Sequence, residues 1–349
     1  MKNIKNLIEK LYFQSNLTDD ELIILLTQRK SDDSEYLYEL ARKRQAEHYG
    51  NKVFIRGLVE TSSYCKNDCF YCGLRRSNKC AQRYRLSKEQ ILSCCDEGHP
   101  LGFRTFVLQG GEDTFYTDNV LCDIISSIKN KYSDCAVTLS LGERSFESYK
   151  KLFEAGADRY LLRHETASPE HYSKLHPGEM SYNNRMECIK NLKSIGFQTG
   201  CGFMVGTPFQ TMENIVRDLR FIKTFAPHMV GIGPFIAHHD TPFKDERQGS
   251  SELTLFLIAV IRLLLPAILL PATTALGTAS KDGREKGVLA GANVLMPNLS
   301  PKDVRDKYLL YDNKLNSGEE AAENIRRLKQ SIKDIGYEIV TDRGDSKAE

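Results

Sequence analysis

Between residues 53 and 296 the chain switches repeatedly between short β-branched or aromatic runs and stretches of helical period. This alternation constrains the fold most, because consecutive parallel strands need a long crossover, usually a helix. Eight strand-like runs are readable, at 53–59, 104–109, 136–141, 159–163, 197–205, 229–232, 268–274 and 293–296. Helices are expected between them at 87–96, 118–129, 145–154, 183–195, 211–225, 253–264 and 283–290. Eight such units predict an α/β chain folded as a complete (β/α)8 TIM barrel, with an open doubly wound sheet as the runner-up.

The flanks read differently. Residues 1–50 predict an N-terminal helical cover. Thr18 can cap a helix through Leu25 and Leu26, with Glu21 completing a capping box. A second helix, 34–49, carries Leu37, Leu40, Ala41 and His48. The barrel is expected over 51–300, and 301–349 as a C-terminal lid with a helix at about 319–335. Hydrophobic residues at 41% and charged residues at 27% supply a sizeable core. A net charge of +2 without a large basic block implies no nucleic acid. The most apolar stretch, 253–270, is interrupted by Arg262 and Pro266, so it reads as a buried helix and no membrane span is expected. The start, Met-Lys-Asn-Ile-Lys-Asn, lacks a signal-peptide core, and ten irregularly spaced cysteines fit a reducing compartment. The expectation is a soluble, cytoplasmic protein.

Cys65, Cys69 and Cys72 follow the first strand at spacings of four and three. Three thiolates on one tight loop can hold three corners of an iron-sulfur cube, leaving one iron open to an exogenous ligand. Zinc is the competing reading, with His48 and Cys80 as further ligands; free thiols without metal are the other. The spacing, with Tyr71 before the last cysteine, resembles the radical S-adenosylmethionine (SAM) enzymes.

In a barrel, chemistry sits at the C-terminal strand ends. Gln109-Gly110-Gly111-Glu112 forms a glycine turn there, able to hold an ammonium group through carbonyls and a carboxylate. Radical-SAM enzymes commonly use a Gly-Gly-Glu turn in this way for SAM. Thr138 and Ser140 share one strand face and can bind substrate or ribose, or simply bond the backbone. Arg163, His164 and Glu165 end an apolar run. Glu165 suits ribose hydroxyls, and Arg163 and Arg185 suit a carboxylate, unless they form a salt-bridge network at the core rim. Met204 can pack against adenine. Thr273 and Thr274 add hydroxyls, Pro234 and Pro297 end further strands, and Tyr308 and Tyr311 stand beyond as candidate lids. His238, His239 and Asp240 look like a metal trio, but adjacent histidines on a loop chelate poorly without further ligands, and their role stays open.

The sequence more specifically resembles the HydE family, the radical-SAM maturases of iron-iron hydrogenase. The resemblance rests on Tyr71 to Arg76, Arg83 to Arg85, Leu139 to Glu143, Arg159 to Thr166, Met229 to Phe235 and Pro271 to Ala275, and extends over roughly residues 50–300. It implies one 4Fe-4S cluster on Cys65, Cys69 and Cys72. It implies SAM contacts at Ser140, Glu165 and Arg185 with Arg163 and Met204 nearby. Thr138, Thr273 and Thr274 would line a deeper cavity covered by Tyr308. It further implies a small iron-carbonyl-cyanide-cysteine substrate made by the maturase HydG, transient contact with HydG and HydF, and a reducing electron donor. Some members carry three later cysteines for a second cluster; here none follows Cys201, so no second cluster is expected. Gly110 replaces a serine found in some members. Methylornithine-synthase-like and biotin-synthase-like enzymes are the rival reactions, and a non-catalytic iron-sulfur carrier is the rival class.

Overall fold

The computed structural model describes residues 3–315 and 322–348. The strand-forming runs emerge as β1 (Lys52–Ile55), β2 (Gly57–Ser62), β3 (Thr105–Gly110), β4 (Ala136–Ser140), β5 (Arg159–Leu161), β6 (Gln198–Cys201), β7 (Met204–Val205), β8 (Met229–Val230), β9 (Gly233–Pro234), β10 (Val294–Leu295) and β11 (Glu338–Val340). All pairings between them are parallel. One sheet has the order β2-β3-β4-β5-β6-β8 and another β10-β1-β11, with β7 and β9 paired separately. Isolated bridges join Met229 to Leu269 and Pro271 to Val294, and Phe54 of β1 pairs with Val294. The central runs are apolar at consecutive positions, as in Phe106-Val107-Leu108, because helices bury the outer face and the core fills the inner one.

Several expected strands are divided. The run 53–59 breaks at Arg56, a buried residue whose Nη1 donates to Met229 Sδ at 2.9 Å. The run 197–205 breaks at Gly202, where a Cβ would fall 2.0 Å from the Gly231 carbonyl oxygen. The run 268–274 is not a strand. Pro271 has no N–H to offer a ladder, only isolated bridges form, and a helix, Thr274–Ala279, starts where the strand was expected to end.

The helices follow the sequence signals closely. Thr18 and Glu21 form the expected capping box on Asp19–Gln28, and Ser87 with Gln90 does the same on Lys88–Gly98. Ser31–Tyr49 packs on Ser251–Leu264, which explains the apolar run there: ten of the fourteen residues of that helix are buried. Arg262 within it donates to the carbonyls of Gly291, Pro266 and Ile268. Among the described residues no helix is long and apolar enough to cross a membrane. Ile4–Gln14 lies within the region 1–50 read as helical, whereas helices Pro169–Leu175 and Lys302–Arg305 were not anticipated. The final helix is Ile325–Asp334; residues 319–321 of the expected span lie outside the described residues.

The C-terminal tail closes the end of the sheet opposite the cysteines. β11 pairs with β1, and the tail then crosses the N-terminal ends of β3, β5 and β6. The Arg343 carbonyl accepts from Thr105 Oγ1 at 2.8 Å and from Arg159 Nη2 at 2.9 Å. Asp345 pairs with the same buried Arg159 guanidinium at 2.5 Å and accepts from Gln198 Nε2 at 3.0 Å.

Candidate active site

The cysteine loop leaves the C-terminal end of β2 and is held in shape by its own side chains. Asp68 accepts from Arg75 Nε at 2.9 Å and from the Ser77 N–H and hydroxyl at 3.0 and 2.8 Å. The Arg75 guanidinium holds that carboxyl well below the usual carboxylate range. Arg83 donates to the carbonyls of Ser63, Leu74, Arg75 and Asn78. Neighbouring segments pin the loop from outside: the N–H of Lys66 bonds the Glu112 carbonyl and that of Gly73 the Leu310 carbonyl, each at 2.9 Å. Gly111 must be glycine, since a Cβ would fall 2.2 Å from the Tyr64 carbonyl oxygen and 2.8 Å from Cys65 Cβ.

Cys65, Cys69 and Cys72 are free thiols lining one cavity of about 290 Å³. Burial pushes all three thiols up, Cys69 well up and Cys72 to about 12. Tetrahedral zinc with Zn–S near 2.3 Å would need sulfurs about 3.8 Å apart. At least one pair of these sulfurs is separated by more than 4.8 Å. The donor set therefore fits the wider corners of an iron-sulfur cube better than one zinc ion. His48 does not complete a zinc site: it ends the helix before β1, beside Lys347 at the opposite end of the sheet.

The cavity also gathers Tyr71, Gln109, Gly110, Gly111, Glu112, Ser140, Arg163, Glu165, Arg185, Met204, Pro234, Thr273, Tyr308 and Tyr311. Tyr71 is fixed by its hydroxyl, 3.2 Å from His176 Nε2. Burial lowers His176 to about 3, so its ring is neutral; Nδ1–H faces the Tyr172 carbonyl and Nε2 accepts from Tyr71. Arg185 donates from Nε to Glu143 at 2.5 Å and from Nη1 to the Arg163 carbonyl at 3.0 Å; its Nη2 lies 3.9 Å from Glu112. Burial works against its charge, but Glu143, Tyr172 and Glu112 hold the guanidinium well above its ordinary range. Gly142, at φ 79°, lets the Glu112 side chain pass where a Cβ would stand 2.0 Å from its Cγ.

Glu165 is the most constrained of these residues. Its φ of 63° is left-handed, a conformation costing a non-glycine residue about 1–2 kcal/mol. Its N–H bonds the Gly202 carbonyl at 3.0 Å. Preceding it, the fully buried His164 accepts from the Gly202 N–H at 3.2 Å and faces Asp218 at 3.3 Å. Glu165 Oε2 is buried without a hydrogen-bond partner, 3.5 Å from Arg163 Nη2. A buried carboxylate oxygen left in that state is suited to accept from a ligand hydroxyl.

Two expected residues stand apart. Thr138 and Thr274 are not among the cavity-lining residues. Thr138 is buried and its Oγ1 has no hydrogen-bond partner, so it does not bond the backbone either. Thr274 is the first residue of a helix instead of a strand end. The histidine trio gains a different third member: His238, His239 and Asp312 offer ligand atoms within 4.8 Å of one another, and Asp312 accepts from His239 at 2.6 Å. Arg83, Glu143, Gly142 and His176 carry the site without having been assigned a role in it from sequence. Only Arg83 and Glu143 left a local signal, as charged residues inside the resemblance stretches.

Three half-buried thiols on one loop, a glycine-carboxylate turn one strand later and a parallel α/β frame define the radical-SAM class of enzymes. A match to the Radical SAM superfamily spans residues 59–222. The [FeFe] hydrogenase maturase subunit HydE of Thermotoga maritima is 45% identical over 314 residues, 90% of this chain and 89% of that protein. The 3-methylornithine synthase of Methanosarcina acetivorans is 30% identical over 95% of this chain and 92% of its own length. Among solved structures, methylornithine synthase (PylB) superposes with a TM-score of 0.84 at 29% identity, covering 96% of this chain and 97% of that one. HydG superposes with a TM-score of 0.80 at 22% identity, covering 96% of this chain and 75% of that one, a likeness of fold. The chain belongs to the HydE family of radical-SAM hydrogenase maturases.

Proposed function

We propose that this chain cleaves SAM reductively and directs the resulting radical at a small organometallic substrate during assembly of the diiron subcluster of hydrogenase. The observation that carries this is the convergence of Cys65, Cys69 and Cys72 in one cavity with a Glu165 carboxylate whose Oε2 accepts no hydrogen bond. The three thiolates would hold the 4Fe-4S cluster; because burial favours their protonated forms, loading would release protons. Glu112 and the Gly110-Gly111 turn receive the SAM ammonium group, and Arg185 orients its carboxylate with the Nη2 that Glu143 and Arg163 leave over. Ser140 and Glu165 take the ribose, with Arg163 beside them and Met204 against the adenine. Thr273 and Tyr308 bound the substrate end. A 4Fe-4S cluster held on the three cysteines would supply the one electron that reductive cleavage of SAM to methionine and a 5′-deoxyadenosyl radical requires. The surrounding side chains fix the reactants and exclude water.

The finer architecture belongs to the same reading. The bridges at Leu269 and Pro271 support closure of the sheet into a complete (β/α)8 barrel over residues 51–300. Residues 1–50 act as a cover and 301–349 as a lid, supported by Tyr308, Leu310 and Tyr311 on the cavity wall. The cysteine content supports a cytoplasmic setting and a single cluster. HydG and HydF are the partners in this scheme. The test is paired. Addition of SAM to the reduced cluster should change its electron paramagnetic resonance spectrum, and the loaded protein should restore hydrogenase maturation in extracts lacking HydE. An unchanged spectrum removes the SAM site; a changed spectrum without restored maturation removes the hydrogenase role.

A further inference from the structure

Residues 64–85, the cysteine loop and its continuation, contain six cations, Lys66, Arg75, Arg76, Lys79, Arg83 and Arg85, and one acid, Asp68. This segment carries +5, whereas the whole chain carries +2, so everything else is net negative at −3. Arg75 is engaged by Asp68 and Arg83 by backbone carbonyls. The others reach the surface: the side chains of Lys66 and Arg76 are 53% and 59% exposed, and Lys79 and Arg85 are exposed as well. With their ion-pair partners Glu112, Asp113 and Glu179 included, the patch keeps a charge of +2.

Large hydrophobic side chains stand in this patch. Tyr64 is 38% exposed and Phe115 51%. The Arg85 guanidinium lies 3.9 Å from the Tyr64 ring centroid and 5.0 Å from that of Phe115. Arg85 is not loose: both Asp113 oxygens accept from it, at 2.7 and 2.9 Å, and the buried Asp113 also accepts from Ser62 Oγ at 2.6 Å and the Phe115 N–H at 3.0 Å. Two aromatics packed around a fixed arginine, beside exposed cations of the cysteine loop, match the make-up of a protein-binding hot spot with a steering rim. The aromatic faces are occupied by Arg85, and four of the six cations already face carboxylates. Neither base stacking nor phosphate tracking is served.

We infer that this face docks a small acidic electron-transfer protein. The inference rests on the proposed function, in which the cluster takes up one electron for each SAM cleaved. Tyr64 directly precedes Cys65, so a partner seated on Tyr64, Arg85 and Phe115 stands over the loop that holds the cluster. The donor's reduced flavin or 2Fe-2S centre gives up one electron and the oxidised 4Fe-4S cluster gains it; no bond forms and no other reactant is needed.

The test uses the loaded, anaerobic holoenzyme and follows bleaching of the cluster's visible absorbance in a stopped-flow instrument. The reductants are reduced flavodoxin, reduced plant-type ferredoxin and, as a small-molecule control, dithionite. Wild-type reduction by at least one of the two proteins should slow with rising salt. The Arg76→Glu/Lys79→Glu double variant and Phe115→Ser should each slow it at least tenfold, with dithionite reduction unchanged. Equal rates in wild type and variants would overturn the docking surface. So would failure of both proteins to reduce the wild type, or displacement of them by a single-stranded oligonucleotide. Failure of dithionite itself to reduce the cluster would instead remove the underlying functional reading, and the inference with it.

Discussion

Glu165 shows how one residue can disclose a site. Its left-handed backbone is unfavourable for a side chain that makes no hydrogen bond through Oε2, yet His164, Asp218 and Gly202 hold it there. Arg163-His164-Glu165 was legible as charge ending an apolar run, but the positive φ was not, because the backbone is held there by Gly202, just past the end of β6. Glu165→Gln should weaken SAM binding to the loaded protein by about tenfold or more, the scale of one charge-assisted hydrogen bond. Calorimetric titration would show it, and unchanged affinity would remove Glu165 from the ribose contact. The cysteines were legible for the opposite reason: three ligands on one loop lie together in sequence as well as in space, and eight residues carry the whole signal.

At the scale of elements, local rules predicted caps well and strand ends poorly. A cap is a contract among four consecutive residues, as in Thr18 to Glu21, where the Thr18 N–H donates to Glu21 Oε2 at 2.9 Å. Thr18→Ala should lower unfolding stability by about 1 kcal/mol without altering iron content. Strand ends depend on distant backbone, so the splits at Arg56 and Gly202 and the loss of 268–274 were not readable. The same holds for the clasp between His239 and Asp312, which joins the loop after β9 to the segment carrying Tyr308 and Tyr311. The hydrogen bond that the His239 ring donates to Asp312 raises the His239 value. Its stabilisation is therefore complete below the ordinary histidine value near 6.5 and fades as pH rises through the raised folded value. The melting temperature of wild type should exceed that of Asp312→Asn most at about pH 6, with the gap closing toward about pH 9; a gap independent of pH would contradict the clasp.

For the whole molecule, the two ends of the sheet have separate tasks. One end holds the cysteines and cavity; the other is sealed by a tail that no periodicity marked, since Glu338-Ile339-Val340 is three residues in a polar context. Its anchor is the buried Arg159, whose partner Asp345 is partly exposed. Burial opposes ionisation of Asp345, but Arg159 and Arg343 pull its carboxyl down to about 2. That contribution is present above the ordinary aspartate value near 3.9 and is lost as pH falls toward about 2. Asp345→Asn should cost about 2 kcal/mol at neutral pH in chemical denaturation. This is below the usual penalty for stranding a buried charge, because Asp345 keeps 42% of its side chain exposed. SAM binding at the far end should be unaffected.

These thiols and their cavity serve reductive cleavage of SAM. The direct measurement is chromatographic detection of 5′-deoxyadenosine after the anaerobically reconstituted protein is reduced in the presence of SAM. The account predicts 5′-deoxyadenosine and methionine in equal amounts, abolished by Cys65→Ala, Cys69→Ala or Cys72→Ala and retained in Cys80→Ala. A fully loaded, reduced cluster that binds SAM and yields no 5′-deoxyadenosine would contradict it.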